Sequence, residues 1–335
     1  MSITAPLATA LPLDPGPEPD PAFRLRGLTL GYGADPVIRD LDLDIPRGKT
    51  TVLIGANGCG KSTILRALGR QLTPLSGTIE VAGRDLSGVK PRENARSVAF
   101  LPQSPLVPEG LTVAELVARG RHPHRRWWGS DDDDAAVAEA LALTDTAGFA
   151  HRRVDELSGG QRQRVWVALV LAQATPTLLL DEPCSFLDLA HQMDILDLVR
   201  DLPLPAGNAR ESRVPVPNPH GNAPDHDGHV PDHDGQAPGQ VGQASDQHGQ
   251  ASGPREDGSG RRTVVAVLHE LTLAARVADH LVAVAEGGVV AAGPPDRVIN
   301  SETLRRVFDL EADIISDPLT GHPVVLPRGR RKGTS

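Results

Sequence analysis

The sequence predicts an α/β fold around a mostly parallel sheet, on the basis of two observations. First, short apolar runs rich in β-branched residues alternate with segments of helical periodicity. The apolar runs that predict strands are Thr50–Ile54, Thr177–Leu180, Thr263–Leu268 and Leu281–Val284. Second, the first of these runs enters a glycine-rich turn, and a helical pattern from Lys61 to Leu68 follows directly. Strands that alternate with helices in this order favour a parallel sheet with helical crossovers.

Two further kinds of segment surround this alternating part. Strand-like alternation runs from Phe23 to Leu30 and from Val37 to Ile45. Between residues 104 and 157 the pattern becomes helical, which predicts an inserted helical subdomain. Its clearest helical stretches are Leu111–Arg119 and Ala135–Leu143. The run Asp131–Asp134 is expected to precede and cap the second of these helices.

Residues 203–262 differ in composition from the rest of the chain. They are dominated by Pro, Gly, Asp, His, Gln and Ala, and they contain the repeat Pro-Asp-His-Asp-Gly. Because such a segment buries too little apolar surface to offset its ordering entropy, it is predicted to be disordered. Two roles remain open for it, a solvated linker or a metal-binding segment, since histidine and aspartate can ligate Zn²⁺ or Fe²⁺. Residues 1–22 are expected to form a disordered leader, and 328–335 a basic tail.

Composition excludes several classes of protein. The formal net charge of −9 argues against a nucleic-acid binder, which usually carries a basic surface. No apolar run approaches the ~20 residues of a membrane-spanning helix, and no signal peptide is visible. The two cysteines, Cys59 and Cys184, are too few for a disulfide framework and suit a reducing cytosol.

The glycine-rich turn matches a phosphate-binding loop. It lies between a predicted strand and a predicted helix, where backbone N–H groups and the helix N-terminus can surround an anion. Lys61 is placed to reach the β- and γ-phosphates, and Ser62 is placed to ligate Mg²⁺. The predicted nucleotide-contacting residues of this loop are Gly55, Asn57, Gly58, Cys59, Gly60, Lys61, Ser62 and Thr63.

An apolar strand from Leu178 ends in two adjacent carboxylates, Asp181 and Glu182. Together with a phosphate-binding loop, this pair predicts nucleotide hydrolysis. Asp181 suits a direct or water-mediated Mg²⁺ contact, and Glu182 suits the general base that orients the attacking water. No guanine-reading Asn-Lys-x-Asp element occurs, which favours ATP over GTP.

The run Leu157-Ser158-Gly159-Gly160-Gln161 precedes a helical stretch from Gln163 to Ala172. With this run, residues 23–202 and 263–327 resemble the ATPase subunits of ABC transporters. The resemblance implies a RecA-like P-loop NTPase core with a mixed, mostly parallel sheet, an antiparallel β subdomain and the helical insertion. It also implies that Ser158, Gly159, Gly160 and Gln161 contact the γ-phosphate held by a second copy, so that two subunits complete each ATP site.

The same resemblance assigns four further residues. Gln103 matches the glutamine that senses Mg²⁺ and connects to the helical subdomain, and Asp188 matches the loop where dimer halves meet. His269 matches the histidine that contacts the γ-phosphate. Tyr32, the only tyrosine, matches the aromatic residue that stacks on adenine. The expected catalytic set is therefore Glu182, His269, Gln103 and Lys61, and the expected Mg²⁺ set is Ser62, Gln103 and Asp181.

Several segments resemble the importer group for ferric siderophores, haem and cobalamin. They are Arg119–His124, Phe186–Gln192, Leu268–Leu271 and the tail from Asp296 to Pro327. The resemblance implies a homodimer peripheral to the cytoplasmic face of the membrane, bound to separate permease subunits and served indirectly by a substrate-binding protein. Ferric siderophores are the expected cargo, with haem, cobalamin or another metal chelate as alternatives. A soluble ABC ATPase acting on another macromolecule is the remaining alternative.

Overall fold

The computed structural model describes residues 20–33, 35–106, 109–124, 131–205 and 260–328, and these form strands β1–β12 and helices α1–α9. The strands are β1 Phe23–Tyr32, β2 Asp35–Ile45, β3 Thr50–Ile54, β4 Ser76–Val81, β5 Arg84–Asp85, β6 Val98–Leu101, β7 Thr177–Asp181, β8 Thr263–Val267, β9 His280–Ala285, β10 Gly288–Gly293, β11 Ala312–Ser316 and β12 Pro323–Pro327. The helices are α1 Lys61–Leu68, α2 Pro91–Ser97, α3 Val113–Ala118, α4 Asp131–Leu143, α5 Gly159–Ala172, α6 Leu189–Asp201, α7 Leu271–Val277, α8 Pro295–Val298 and α9 Ser301–Phe308.

The central sheet has the strand order β10-β9-β3-β8-β7-β6. All of its neighbours pair in parallel except β10, which is antiparallel to β9. Every residue of β3, β7 and β8 is buried, as expected for strands that helices cover on both faces. The predicted α/β fold is therefore confirmed. Because parallel strands end at the same edge, the loops after β3, β6, β7 and β8 meet there.

A second, antiparallel sheet with the order β2-β1-β4-β5 packs against α1. Phe23, Leu25 and Ile45 from this sheet share one buried cluster with Ile64 and Leu68 of the helix. The alternating patterns predicted β1 and β2, although both strands extend slightly further than expected. The sheet therefore braces the helix that follows the glycine-rich turn.

The inserted segment contributes α3 and α4, and both pack against α5. Helix α4 begins at Asp131, so the expectation that the acidic run precedes a helix starting at Ala135 was wrong. Acidic residues are favourable inside the first turn of a helix because they face its positive end. Asp133 also pairs with the largely buried Arg121 at 2.8 Å, and Arg121 donates a further bond to the Ala172 carbonyl. Among the described residues, no helix combines the length and apolar character needed to span a bilayer.

The two ends of the predicted insert pair with each other. The amide of Leu204 donates to the Gly260 carbonyl at 2.8 Å, and the amide of Arg262 donates to the Leu202 carbonyl at 3.0 Å. Residues 203–205 and 260–262 therefore belong to the folded unit. At the end of the predicted leader, Ala22 is buried and its amide donates to the Ile45 carbonyl at 2.8 Å, so the prediction of disorder was wrong there. Residues 1–19, 206–259 and 329–335 lie outside the described residues, and so do the predictions of disorder, of metal binding and of a basic tail for those residues.

Replacing residues 206–259 by a short Gly-Ser linker is expected to leave the fold intact, because the backbone pairing around Leu204 and Arg262 already closes the connection. Shortening a closed loop from ~60 to ~8 residues should stabilise the protein by roughly 2 kcal/mol. The thermal unfolding midpoint of the shortened chain measures this. A midpoint below that of the full chain would contradict the prediction.

Candidate ATP site

The glycine-rich turn, Gly55 to Gly60, connects β3 to α1. Its first and last glycines are required by the geometry of the loop. Gly55 has φ 154°, and a Cβ there would lie 2.3 Å from the Val284 carbonyl oxygen. Gly60 caps α1 with φ 109°, and a Cβ there would meet Ile38 at 2.4 Å. Asn57 and Gly58 at the crest are exposed, which leaves one side of the loop open to a ligand.

Lys61 is buried with its ammonium group folded against its own loop. Its Nζ donates to the carbonyl oxygens of Gly55 at 2.8 Å and Ala56 at 2.9 Å. The side chain is only 5% exposed, so the cation is costly to bury without such partners. Phosphate oxygens form stronger, charge-assisted bonds than neutral carbonyls, so the ammonium group is placed to exchange these partners for a phosphate.

Ser62 and Asp181 form a pair that fits a hard cation. The Ser62 hydroxyl donates to Oδ1 of Asp181 at 2.9 Å, while Oδ2 of the same carboxylate is buried without a hydrogen-bond partner. Burial raises the pKa of Asp181, although the Ser62 hydrogen bond opposes this. An unpartnered carboxylate oxygen beside a hydroxyl is the oxygen set that Mg²⁺ prefers. The residues present therefore fit the metal predicted for this position.

Glu182 is the point where three loops meet. Its Oε1 accepts a hydrogen bond from Nε2 of Gln103 at 2.6 Å and lies 2.5 Å from Nε2 of His269. These residues follow β6, β7 and β8, whose parallel pairing brings their ends together. Gln103, Glu182 and His269 therefore lie together, as predicted from the sequence. The Gln103 amide is hydrogen-bonded to Glu182, however, and not to Ser62 or Asp181.

The hydrogen bonds to Glu182 also set its charge. Burial would raise the pKa of this carboxyl, but the bonds with His269 and Gln103 outweigh burial and leave the pKa below its ordinary value. Glu182 is therefore ionised at neutral pH, as a general base must be. Ser185 adds a third contact, its Oγ lying 3.3 Å from Oε2. Sequence reasoning missed Ser185, because one serine in a loop carries no pattern of its own.

The signature run forms the N-terminus of α5. Ser158 accepts a bond from the Gln161 amide at 3.2 Å, and the Gln161 side chain accepts one from the Ser158 amide at 3.1 Å. This reciprocal capping box fixes the start of the helix. Ser158 is exposed, so the positive end of the helix faces solvent on this side of the molecule.

Tyr32 lies at the end of β1 with a half-exposed side chain. Its hydroxyl accepts a 2.6 Å bond from Arg66 of α1, the helix that Lys61 begins. The ring is therefore tied to the phosphate-loop helix while remaining available for stacking on a flat base.

The segment after Glu182 ends in an exposed apolar surface. Phe186 is 81% exposed and has a φ of 69°, and Leu189 is also exposed. Asp188 caps α6 by accepting bonds from the amide of His191 at 3.0 Å and from its ring at 2.8 Å. The loop that the sequence resemblance assigns to the dimer contact therefore presents two apolar side chains to solvent.

Comparison with known proteins identifies the family. The achromobactin transport ATP-binding protein of Dickeya dadantii is 40% identical over 314 residues, which cover 93% of this chain and 96% of the relative. This chain is a member of the ABC transporter ATP-binding family. The family description "ABC transporter" matches residues 38–185. The ferric enterobactin transport ATP-binding protein of Escherichia coli is 39% identical, with 92% and 95% of the two chains covered.

Solved structures agree with this ABC fold. A metal-chelate type ABC transporter in an inward-facing conformation superimposes with a TM-score of 0.65 at 23% identity, covering 93% of this chain and 98% of the other. A dimeric ATP-binding cassette bound to ADP and phosphate gives a TM-score of 0.58 at 20% identity, covering 81% and 98%. As a member of the family, this ABC subunit binds and hydrolyses ATP.

The two cysteines of this ABC subunit are expected to differ in reactivity. Burial raises the pKa of the Cys184 thiol to about 12, so its reactive thiolate is scarce at neutral pH. Cys59 is partly exposed in the phosphate loop, 3.8 Å from Nζ of Lys61. Maleimide should therefore modify Cys59 alone and inhibit ATP turnover, and a Cys59→Ala variant should resist inhibition. Peptide mass spectrometry checks the site, and equal labelling of both thiols would contradict the prediction.

Proposed function

We propose that this chain is the ATP-hydrolysing subunit of an ABC importer for ferric siderophores. The hydrolytic role is supported mainly by one observation: Gln103 and His269 both contact Oε1 of the ionised Glu182. Support for the cargo comes from relatives named for achromobactin, ferric enterobactin and petrobactin transport, at 38–40% identity. Haem and cobalamin are the alternative cargoes, since hemin and cobalamin import proteins are 36% and 37% identical.

In this proposal the residues of one chain hold one ATP. Tyr32 stacks on adenine, the glycine-rich loop surrounds the phosphates, and Lys61 exchanges its two carbonyl partners for phosphate oxygens. Mg²⁺ would be held by Ser62 and Asp181, with Gln103 as the third predicted ligand, and would supply charge neutralisation at the phosphates. Gln103 would leave Glu182 to take that role.

Glu182 and His269 then perform the chemistry. Glu182 accepts a proton from the attacking water and orients it, because its carboxylate is ionised. Ser185 still contacts Oε2 of Glu182 after Gln103 and His269 have taken up their roles at Mg²⁺ and the γ-phosphate. His269 contacts the γ-phosphate, where negative charge must be stabilised. Ser158 to Gln161 offer their helix N-terminus to the ATP of a second copy, so a homodimer is required.

The assembly proposed is a peripheral one. Two copies of this chain would bind permease subunits at the cytoplasmic face of the membrane, and a substrate-binding protein would act only through the permease. Tagged chain purified from detergent-solubilised membranes is expected to bring down a polytopic membrane protein. Recovery of a soluble macromolecular partner instead would favour the alternative of a soluble ABC ATPase.

Uptake measurements test the cargo. Cells that lack this chain should lose uptake of ⁵⁵Fe-labelled siderophore, and the wild-type gene should restore it. The matched control is Lys61→Ala, which should be produced normally but fail to restore uptake. Loss of haem or cobalamin uptake with normal siderophore uptake would show that the cargo is haem or cobalamin instead. Normal uptake of all three would contradict the importer proposal.

A further inference from the structure

Gln163 is a polar side chain buried in the helix that carries the signature run. It lies on α5, and it is only 4% exposed. Its Nε2 donates a 2.7 Å hydrogen bond to the Pro183 carbonyl. A buried amide is costly unless it is bonded, so this hydrogen bond stabilises the buried position of the Gln163 side chain. Pro183 directly follows Glu182, so the bond connects the signature helix to the residue next to the catalytic base.

A second contact connects the same two parts. The glycines that begin α5 pack against the loop after Pro183. A Cβ on Gly160 would lie 3.3 Å from Leu187 and 3.5 Å from the carbonyl oxygen of Phe186, and one on Gly159 would lie 3.5 Å from Phe186. The Ser185 hydroxyl of this loop reaches back to Glu182. The start of α5 therefore lies against the loop whose Ser185 contacts Glu182.

We propose that Gln163 is a positioning residue that couples the two ATP sites of the dimer. The inference rests on the proposed function, in which Ser158 to Gln161 contact the partner's ATP while Glu182 acts on the chain's own ATP. Engagement of the signature run by the partner's γ-phosphate moves α5. The bond from Gln163 passes this movement to the Pro183 carbonyl and so brings Glu182 into its hydrolytic position.

The coupling has a defined kinetic consequence. Binding of ATP to the half-site of a single chain uses Tyr32 and Lys61, whose hydrogen bonds involve neither Gln163 nor Pro183. Loss of this bond therefore leaves ATP affinity of the single chain unchanged. It lowers kcat, because Glu182 no longer responds to the partner, and it lowers the Hill coefficient for ATP towards one. A misplacement of about 1 Å at the reacting groups can cost ~10²-fold in rate, so a kcat loss of about 10–100-fold is expected.

The test compares two glutamines of the same helix region, one inside α5 and one at its C-terminal cap. Gln173 at the other end of α5 also donates from Nε2 to a backbone carbonyl, that of Ala95, at 2.5 Å. Gln163→Leu removes one such bond, and Gln173→Leu removes the bond to Ala95 together with a longer one, 3.5 Å, to the Val98 carbonyl, so both should lower the thermal unfolding midpoint. Only Gln163→Leu should lower kcat by about 10–100-fold and reduce the Hill coefficient. If Gln163→Leu does not fold, Gln163→Met, which is similar in length, is measured in its place.

Equal kcat losses in the Gln163 and Gln173 variants, or a normal Hill coefficient in the Gln163 variant, would overturn the coupling role. The ATP-dependent dimer of a Glu182→Gln chain is measured alongside. If that chain does not dimerise with ATP, the shared-site dimer of the proposed function is wrong, and the coupling role of Gln163 is then wrong as well. If it dimerises normally while the two glutamine variants behave alike, only the coupling role is wrong.

Discussion

Replacing Glu182 with glutamine is expected to lower ATP turnover by about 10²–10⁴-fold, the range for loss of a general base. The amide keeps the size of the carboxylate and still accepts a hydrogen bond from His269, but it cannot take a proton from water. Lys61, Ser62 and Ser158 are untouched, so ATP should still bind and close the dimer. Single-turnover hydrolysis measures the first effect. Sedimentation measures the second, as growth from 35.4 kDa to a dimer in the presence of ATP and Mg²⁺.

The matched control is Glu270→Gln. Glu270 is an exposed carboxylate directly beside His269, and it is the N-cap residue that precedes α7, without a side-chain capping bond. Its loss changes the net charge by the same amount, and among the described residues it removes no side-chain hydrogen bond to Gln103, Glu182 or His269. Turnover of this variant should be close to that of the wild type. Wild-type turnover by Glu182→Gln would show that Glu182 is not the base.

Replacing Ser158 with arginine is expected to abolish turnover while leaving ATP binding by the single chain intact. The bulky cation occupies the N-terminus of α5, where the partner's γ-phosphate is proposed to bind. The substitution also removes a helix cap, at a cost of ~0.5–2 kcal/mol in the free energy of unfolding. Binding of a fluorescent ATP analogue and steady-state hydrolysis separate the two functions.

A second capping box in the same chain provides the control for stability. Thr112 caps α3 with the same reciprocal pattern, through Glu115. Thr112→Arg should therefore lower the thermal unfolding midpoint by an amount similar to Ser158→Arg, without abolishing turnover. Loss of turnover in both variants would mean that the effect of Ser158→Arg is one of stability. Loss of ATP binding by the Ser158 variant would place Ser158 in the chain's own site.

Local sequence signals predicted the elements that hold the phosphate loop. The bounds of β3 and α1 agree with the structure, because a β-branched run and a Gly-Lys-Ser turn leave few other conformations. The short strands β4 and β5 and the hairpin of β11 and β12 were not predicted. These elements contain Ser, Gly, Asp and Pro, and tertiary pairing overrides their weak propensity.

The sequence predicted which residues form the candidate site, but it did not predict the hydrogen bonds between them. Gln103 and His269 were assigned by resemblance, since a lone glutamine or histidine after a strand is weak evidence. Their meeting on Glu182 depends on the order β6, β7, β8 in the sheet, which spacing along the chain does not determine. The same holds for Ser185 and Gln163, whose partners are known only from the folded chain.

The central claim is that each ATP site is built from two chains, and a mixing experiment tests it most directly. Both chains carry Glu182→Gln to trap ATP; one also carries Lys61→Ala and a purification tag, and the other carries Ser158→Arg. In a mixed dimer, one site has an intact phosphate loop from the second chain and an intact signature run from the first. With ATP and Mg²⁺, the tagged chain should retain the untagged chain, while neither variant dimerises alone. Failure of the mixture to associate, with both variants folded and Glu182→Gln alone dimeric, would contradict the shared site.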